Sequence, residues 1–108
     1  MEQKQDEYLI HVFASNQSMV MTVCDLETSI DERTLFRREM TTGTQHNWEK
    51  FTEPIASGEH TLVISEVKTQ TRKSKALNID RELWIVVTFH GPPARLEIDV
   101  FDHPVGFM

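Results

Sequence analysis

The sequence lacks the covalent and metal-binding features that many small domains use to stabilise a fold. It has one cysteine, Cys24, in 108 residues, so it can form no internal disulfide and implies no oxidising compartment. Cys24 lies in an apolar run, where a cysteine is expected to be a small buried hydrophobic residue rather than a reactive thiol. A chain of this length can bury a core of its own, and we expect one domain.

The glycine-rich and paired-carboxylate motifs of enzymes are missing as well. The four glycines are isolated from one another, so they form no phosphate-binding loop, and no Gly-x-Ser-x-Gly elbow occurs. Acidic residues fall in predicted turns or on solvent-facing strand positions, whereas acid–base catalysis needs convergent groups in a pocket. We therefore predict a protein that is not an enzyme and uses no cofactor.

Excess positive charge and long apolar runs are absent. The formal net charge is −6 at pH 7, which disfavours nucleic acid and anionic membrane surfaces as partners. No run approaches the ~18 apolar residues of a membrane-spanning helix. Segment 1–7 is polar and has no apolar stretch behind a basic start. It predicts a disordered N-terminus rather than a signal peptide, and a cytoplasmic location.

Short β-type segments separated by turn signals make up most of the chain. Residues 60–67 and 83–90 are rich in β-branched and apolar side chains, and residues 95–101 alternate between apolar and charged side chains. Further strands are predicted at 8–15, 19–26 and 34–40, from Ala76 onward and, as a short strand or irregular segment, at 48–55. The last belongs on a sheet edge, because Pro54 lacks a ladder donor. Residues 27–40 have helix as the competing prediction, since many of them favour helices.

Seven or eight short strands without an amphipathic helix predict an all-β fold. We expect a single antiparallel β-sandwich over residues 8–108, of an immunoglobulin- or fibronectin-like or a jelly-roll-like kind. The stretch PIASGEHTLVISEV (54–67) is similar to a pattern in small carbohydrate-binding and fibronectin-like modules. That likeness is architectural and implies no shared activity.

Segment 83–90 carries apolar side chains on both of its faces. The stronger face has Leu83, Ile85, Val87 and Phe89, which should point into the core. Trp84 and Val86 then fall on the other face, where a large exposed apolar patch would be unusual for a monomer. We expect that face to meet a partner protein or a second copy of the chain, or to be covered by the apolar C-terminal segment 104–108.

The segment HNWEKF (46–51) is a candidate binding loop. Trp48 can stack on a sugar ring or fill a pocket of a partner, with His46 and Asn47 hydrogen-bonding beside it. The competing and favoured interpretation is that Trp48 and Phe51 cover one open end of the sandwich, because large aromatic side chains are usually mostly buried.

Five histidines raise the question of a metal site. The nearest candidates are His90, Asp99 and His103, but no pair has a tight ligand spacing. In an extended strand, Asp99 and His103 lie ~13 Å apart. A metal-dependent enzyme built on these three residues is the least favoured hypothesis.

Residues 68–75, KTQTRKSK, form a basic run in an acidic chain. We interpret it as a solvated hairpin tip, since charged runs in loops are usually solvated. The alternative is a docking finger for an acidic partner.

These patterns favour a non-catalytic binding or protein-interaction module, either with another protein or with itself. The predicted contact residues are His46, Asn47, Trp48 and Trp84. A carbohydrate-binding module that uses an exposed tryptophan is the alternative.

Overall fold

The computed structural model describes residues 6–18, 23–41, 48–91 and 93–105, and all regular structure in these ranges is strand. The eight strands are β1 (Glu7–Asn16), β2 (Val23–Ile30), β3 (Arg33–Thr41), β4 (Glu49–Ala56), β5 (Gly58–Glu66), β6 (Thr71–Ile79), β7 (Leu83–His90) and β8 (Arg95–Phe101). The all-β prediction is therefore confirmed, and the helix alternative for residues 27–40 is wrong. No helix that could cross a bilayer occurs in the described ranges.

The strands form two four-stranded sheets that pack into a sandwich. Sheet A has the order β4-β1-β7-β8, and sheet B has the order β3-β2-β5-β6. One pairing departs from the predicted antiparallel arrangement, because β1 and β7 run parallel. Parallel neighbours need a long crossover connection, and here the chain between them builds five strands in both sheets before it returns beside β1.

The core lies between the two sheets and is almost entirely aliphatic. Its most buried members include Ile10, Val12, Leu26, Leu62, Ile64, Ile79, Ile85 and Phe89. The four side chains of β7 that were predicted to face inward are all at most 7% exposed, which confirms the predicted orientation of that strand. Val86 is also buried, but it does not belong to the core cluster, as expected for an outward-facing position.

Strand β4 is an edge strand, as Pro54 predicted. Pro54 is paired with Leu9 of β1. Phe51, on the same strand, stacks on Phe36 of β3 with ring centroids 5.0 Å apart, and both rings pack against the core. This contact closes the sandwich along its β3–β4 side.

Several predicted boundaries are wrong. Glu7, placed in the disordered segment, opens β1 and is paired with Ala56, while residues 1–5 lie outside the described ranges. Strict alternation with Phe36 would turn Leu35 outward, but both side chains pack against the core. Thr28 pairs with Phe36 and Ser29 with Thr34, so Leu35 is the extra residue of a β-bulge.

The predicted basic tip is mostly strand. Only residues 67–70 form the turn, and the run that follows is the first half of β6. The predicted strand at 19–26 overlaps β2 from Val23 onward, and residues 19–22 lie outside the described ranges. Residues 106–108 of the C-terminal segment, which was predicted to cover a sheet face, also lie outside the described ranges.

Candidate functional site

The outward side of sheet A carries an aromatic and aliphatic surface. Alternation along β1, β7 and β8 places one set of side chains away from the core. The apolar and aromatic members of this set, called the aromatic face below, are Leu9, His11, Phe13, Trp84, Val86 and Phe101, and the exposed Asp99 lies beside Val86 at their border. The register sets Trp84 between His11 on β1 and Phe101 on β8.

The His11 and Trp84 rings form the centre of the aromatic face. They stack with centroids 5.1 Å apart and an interplanar angle of 16°. Nε2 of His11 lies 2.6 Å from a carboxylate oxygen of Glu82, and Nδ1 lies 2.9 Å from the Thr52 hydroxyl. These two bonds fix the imidazole and, through the stack, the indole. Both ring nitrogens of His11 are thus engaged in contacts among the described residues.

Exposure is greatest at one corner of the aromatic face. The Leu9 side chain is 46% exposed, and among the described residues only Val67, at 40%, is a second large hydrophobic side chain classed as exposed. A leucine in this position exposes apolar surface to water at a cost of about 25 cal/mol per Å². That cost is recovered if a partner covers the residue.

Polar and charged groups surround the aromatic face. The Lys50 ammonium lies 5.6 Å from the centroid of the Phe13 ring. The Phe101 ring has the His103 imidazole edge-on at 5.6 Å, and Asp102 pairs with Arg81 at 3.3 Å. Hydrogen bonding to His103, aided by the charge of Arg81, lowers the pKa of Asp102, so Asp102 is a carboxylate paired with the Arg81 cation at neutral pH.

The outward side of sheet B has a different character. Two guanidinium nitrogens of Arg37 donate to the two carboxylate oxygens of Asp25 at 3.1 and 2.8 Å. This bond lowers the pKa of Asp25 and raises that of Arg37. The Thr34 hydroxyl donates to Glu27 on the neighbouring strand at 3.4 Å. Cross-strand polar pairs of this kind bind outward side chains of β2 and β3 to one another.

A buried carboxylate stabilises the β5–β6 turn. Glu66 is fully buried, and it accepts the backbone N–H of Asp25 at 2.6 Å and both the N–H and the hydroxyl of Thr69 at 2.7 and 2.8 Å. Burial alone would raise the pKa of Glu66, but these donors outweigh it and the pKa is lowered. Cys24 is buried, as predicted, and burial and the neighbouring carboxylates raise the pKa of its thiol to about 12.

A shallow cleft of about 300 Å³ lies at the β2–β3 turn, bordered by His60 and Asp31. The backbone N–H of Thr61, at 2.9 Å, and the His60 imidazole hold the Asp31 carboxylate and lower its pKa. The second ring nitrogen of His60 is 2.7 Å from the Ala56 carbonyl. His60 thus ties three segments together, and both of its nitrogens are used in doing so.

The structure separates the predicted contact residues. Trp84 lies on the aromatic face as expected. Trp48 is half-buried just before Glu49, which pairs with Ala14, whereas Trp84 pairs with His11. Trp48 is therefore level with Ser15, and the two tryptophans lie at levels that differ by ~13 Å along the strands. Predicted contact residues His46 and Asn47 lie outside the described ranges.

The three weak metal candidates do not converge. His90 pairs with Arg95 near the end of β7, Asp99 pairs with Val86 further along the ladder, and His103 follows β8. His90 lies within ion-pair distance of Glu97, at 3.4 Å, in a geometry that makes no hydrogen bond. Across the described ranges, no three histidine, cysteine or acidic side chains are grouped to hold a metal ion.

Sequence reasoning missed three residues of the site. His11, Thr52 and Glu82 meet only because β1 lies between β4 and β7. Nothing in the local pattern around each residue signals that meeting. The usable signal was the second apolar face of segment 83–90, which indicated Trp84.

The chain matches no protein-family model, and it matches no curated protein. The geometry of the described residues therefore carries the functional proposal alone.

Proposed function

We propose that the protein is a non-catalytic interaction module that docks a partner protein on the aromatic face of sheet A. The observation that carries this proposal is the outward His11–Trp84 stack, which lies near an exposed Leu9 on the same face.

The composition of the face fits a protein partner. Protein interfaces have an apolar centre, enriched in aromatic residues and poor in charge, and a polar rim. Here Trp84 and its neighbours form such a centre, and Lys50, Glu82, Asp99 and Asp102 lie around it. Tryptophan is among the residues that most often dominate binding energy.

The rigidity of the stack adds to its suitability. Binding costs free energy when side chains must be ordered at the interface. The bonds from Thr52 and Glu82 already hold the His11 ring, and the stack restrains the indole of Trp84. A partner would therefore meet a surface whose largest side chain is largely ordered before binding.

The carbohydrate alternative fits this geometry less well. A sugar ring stacks on an open aromatic face, and the His11 ring covers one face of the Trp84 indole. A cytoplasmic location goes with the proposal as a prediction, which fractionation of the native host would check.

Two matched variants test the proposal. Leu9→Asp places a charge on the aromatic face, and Val67→Asp places the same charge beside sheet B, at the other strongly exposed large hydrophobic side chain among the described residues. Tagged wild type and both variants are used to capture proteins from a lysate of the native host, and each is examined alone by analytical ultracentrifugation.

We expect a stoichiometric partner that wild type and Val67→Asp retain and Leu9→Asp loses. A dimer that dissociates only in Leu9→Asp would identify the partner as a second copy. Equal capture by all three proteins, or loss through Val67→Asp alone, would overturn the proposal.

A further inference from the structure

Strand β6 is an edge of sheet B with an unpaired side. In the sheet formed by the described residues, β6 is hydrogen-bonded to β5 alone. Every second N–H and C=O of an edge strand points away from the sheet. Five consecutive residues, 72–76, are exposed, so this edge is accessible over most of its first half.

The positive charge on β6 is not neutralised within the described structure. Arg72, Lys73 and Lys75 take part in none of the ion pairs formed among the described residues. The residues opposite them on β5 are Ser65, Ile64 and Leu62, so no carboxylate faces them across the ladder. Three cations are thus concentrated on one strand of a chain whose net charge is −6.

The opposite edge of sheet B shows that this arrangement is specific to β6. Strand β3 also carries several arginines, but Arg37 pairs with Asp25 and Arg38 pairs with Glu49 at 2.9 Å. Glu39 is the next residue along the strand after Arg38. The charges of the β3 edge are therefore largely compensated, and those of the β6 edge are not.

The cations lie on both faces of the β6 edge. Because side chains alternate along a strand, Arg72 projects from one face, and Lys73 and Lys75 project from the other. A strand added beside β6 would also alternate its side chains. Carboxylates on either face of that strand would meet a cation as a cross-strand neighbour.

We propose that β6 is an acceptor for an acidic, extended peptide segment of another protein, which adds to sheet B as a fifth strand. Main-chain hydrogen bonds to the open edge provide affinity, and the three cations select acidic sequences. Lysines on an edge also prevent identical edges from pairing. The charges that repel a second β6 are the ones that attract an acidic strand. Nucleic acid is the less suitable polyanion, because single-strand platforms interleave aromatic side chains with cations, and residues 71–79 contain no aromatic residue.

Fluorescence anisotropy with the full chain tests this binding. The probe is a labelled nonapeptide with three consecutive glutamates between valine and threonine residues. We expect saturable binding that weakens at least tenfold in Lys73→Glu/Lys75→Glu, and several-fold when NaCl rises from 50 to 500 mM. The matched control, Arg33→Glu/Arg38→Glu on the β3 edge, should bind within twofold of wild type.

Two further probes separate strand addition from simple charge attraction. Peptides N-methylated at odd or at even positions should differ, because only alternate N–H groups face β6. Amide exchange of residues 71–76 should slow when the unmodified peptide binds.

Several results would overturn the proposal. They are no binding at millimolar peptide, equal binding of both N-methylated peptides, and preference for a single-stranded oligonucleotide of matching charge. A dimer of the protein alone that dissociates in Lys73→Glu/Lys75→Glu would assign the edge to a second copy and would also overturn it. Retained peptide binding in Leu9→Asp is expected, which keeps this inference separate from the docking proposal.

Discussion

Sheet A turns an indole, two phenyl rings and a leucine outward, whereas sheet B turns ion pairs and hydroxyl groups outward. The two sheets are alike in strand number, and both bury aliphatic side chains on their inner faces. Both sheets therefore contribute to the core in the same way. Because the core uses only the inward positions, packing of the core does not explain why the outer faces differ.

The internal bonding of each face explains what it can offer to a partner. On sheet B, Asp25 and Arg37 bind each other, so a partner could use these two side chains only by breaking the pair. On the aromatic face, the polar bonds of His11 hold an aromatic ring in place and leave apolar surface exposed. The comparison therefore supports the proposal that docking uses the outward face of sheet A, whereas the outward face of sheet B carries polar side chains that bind each other.

The largest effect is expected from removing the indole of the aromatic face. Trp84→Ala should weaken binding of the partner captured by wild type by about 3 kcal/mol, on the order of a hundredfold in Kd, as for a central interface tryptophan. Titration calorimetry measures this loss. Trp84→Phe should recover part of the affinity, and equal affinities of Trp84→Ala and wild type would break the assignment of docking to sheet A.

A second large effect concerns sheet B and should appear in stability alone. Glu66→Gln places an amide where two acceptor oxygens are needed, and it should lower the free energy of unfolding by about 2 kcal/mol at pH 7. Urea denaturation checks this, with the exposed Glu59→Gln as the control that changes little. Reduced partner affinity in fully folded Glu66→Gln would contradict the separation of the two faces.

The Glu66→Gln variant also tests a prediction about the pH dependence of stability. The pKa of Glu66 is lower in the folded protein than in the unfolded chain. Its contribution to stability is therefore complete above about pH 4.3, the unfolded value, and is lost as the pH falls through the folded value. Denaturation of wild type between pH 7 and pH 2 should show this loss, and Glu66→Gln should show a flatter acid limb.

The Asp25–Arg37 pair should have a smaller effect. A double-mutant cycle with Asp25→Asn and Arg37→Met should give a coupling energy of about 1 kcal/mol, because the bond is bidentate but Arg37 is half-exposed. The coupling should shrink in 1 M NaCl. A zero coupling at low salt would mean that the outward face of sheet B is not held by internal pairs.

The smallest effect is expected at the β2–β3 turn. Asp31 and Glu32 have φ values of 51° and 68°, and a two-residue turn of this kind prefers glycine at the second position. The left-handed conformation costs glutamate about 1–2 kcal/mol. Glycine avoids this cost but loses more conformational entropy on folding, so only part of the gain in stability remains. Glu32→Gly should therefore raise stability by about 0.5 kcal/mol, whereas Glu59→Gly, within β5, should lower it. Thermal denaturation measures both.

The sequence predicted those strands that have clear boundaries and clear alternation. The bounds of β7 and β8 agree with the prediction, because β-branched residues fill β7, apolar and charged residues alternate in β8, and Gly91 with Pro92 separates them. Strand β6 was only partly predicted. Its first half is exposed on both faces, so its sequence shows no alternation of apolar and polar side chains.

The candidate site was predictable in part. The alternation in β7 placed Trp84 on the outward face, and that placement needs no partner strand. The His11–Trp84 stack and the Glu82 contact depend on the parallel pairing of β1 with β7, which long-range packing decides. No local signal could have supplied that register.

Footprinting of the captured complex tests the central claim most directly. Hydroxyl radicals modify exposed side chains, and the free protein provides the reference. Binding on the aromatic face predicts reduced modification of Leu9, Trp84 and Phe101, with Val63 and Val67 of the sheet B side unchanged. Protection of Val63 and Val67 with Leu9 and Trp84 unchanged would contradict the account.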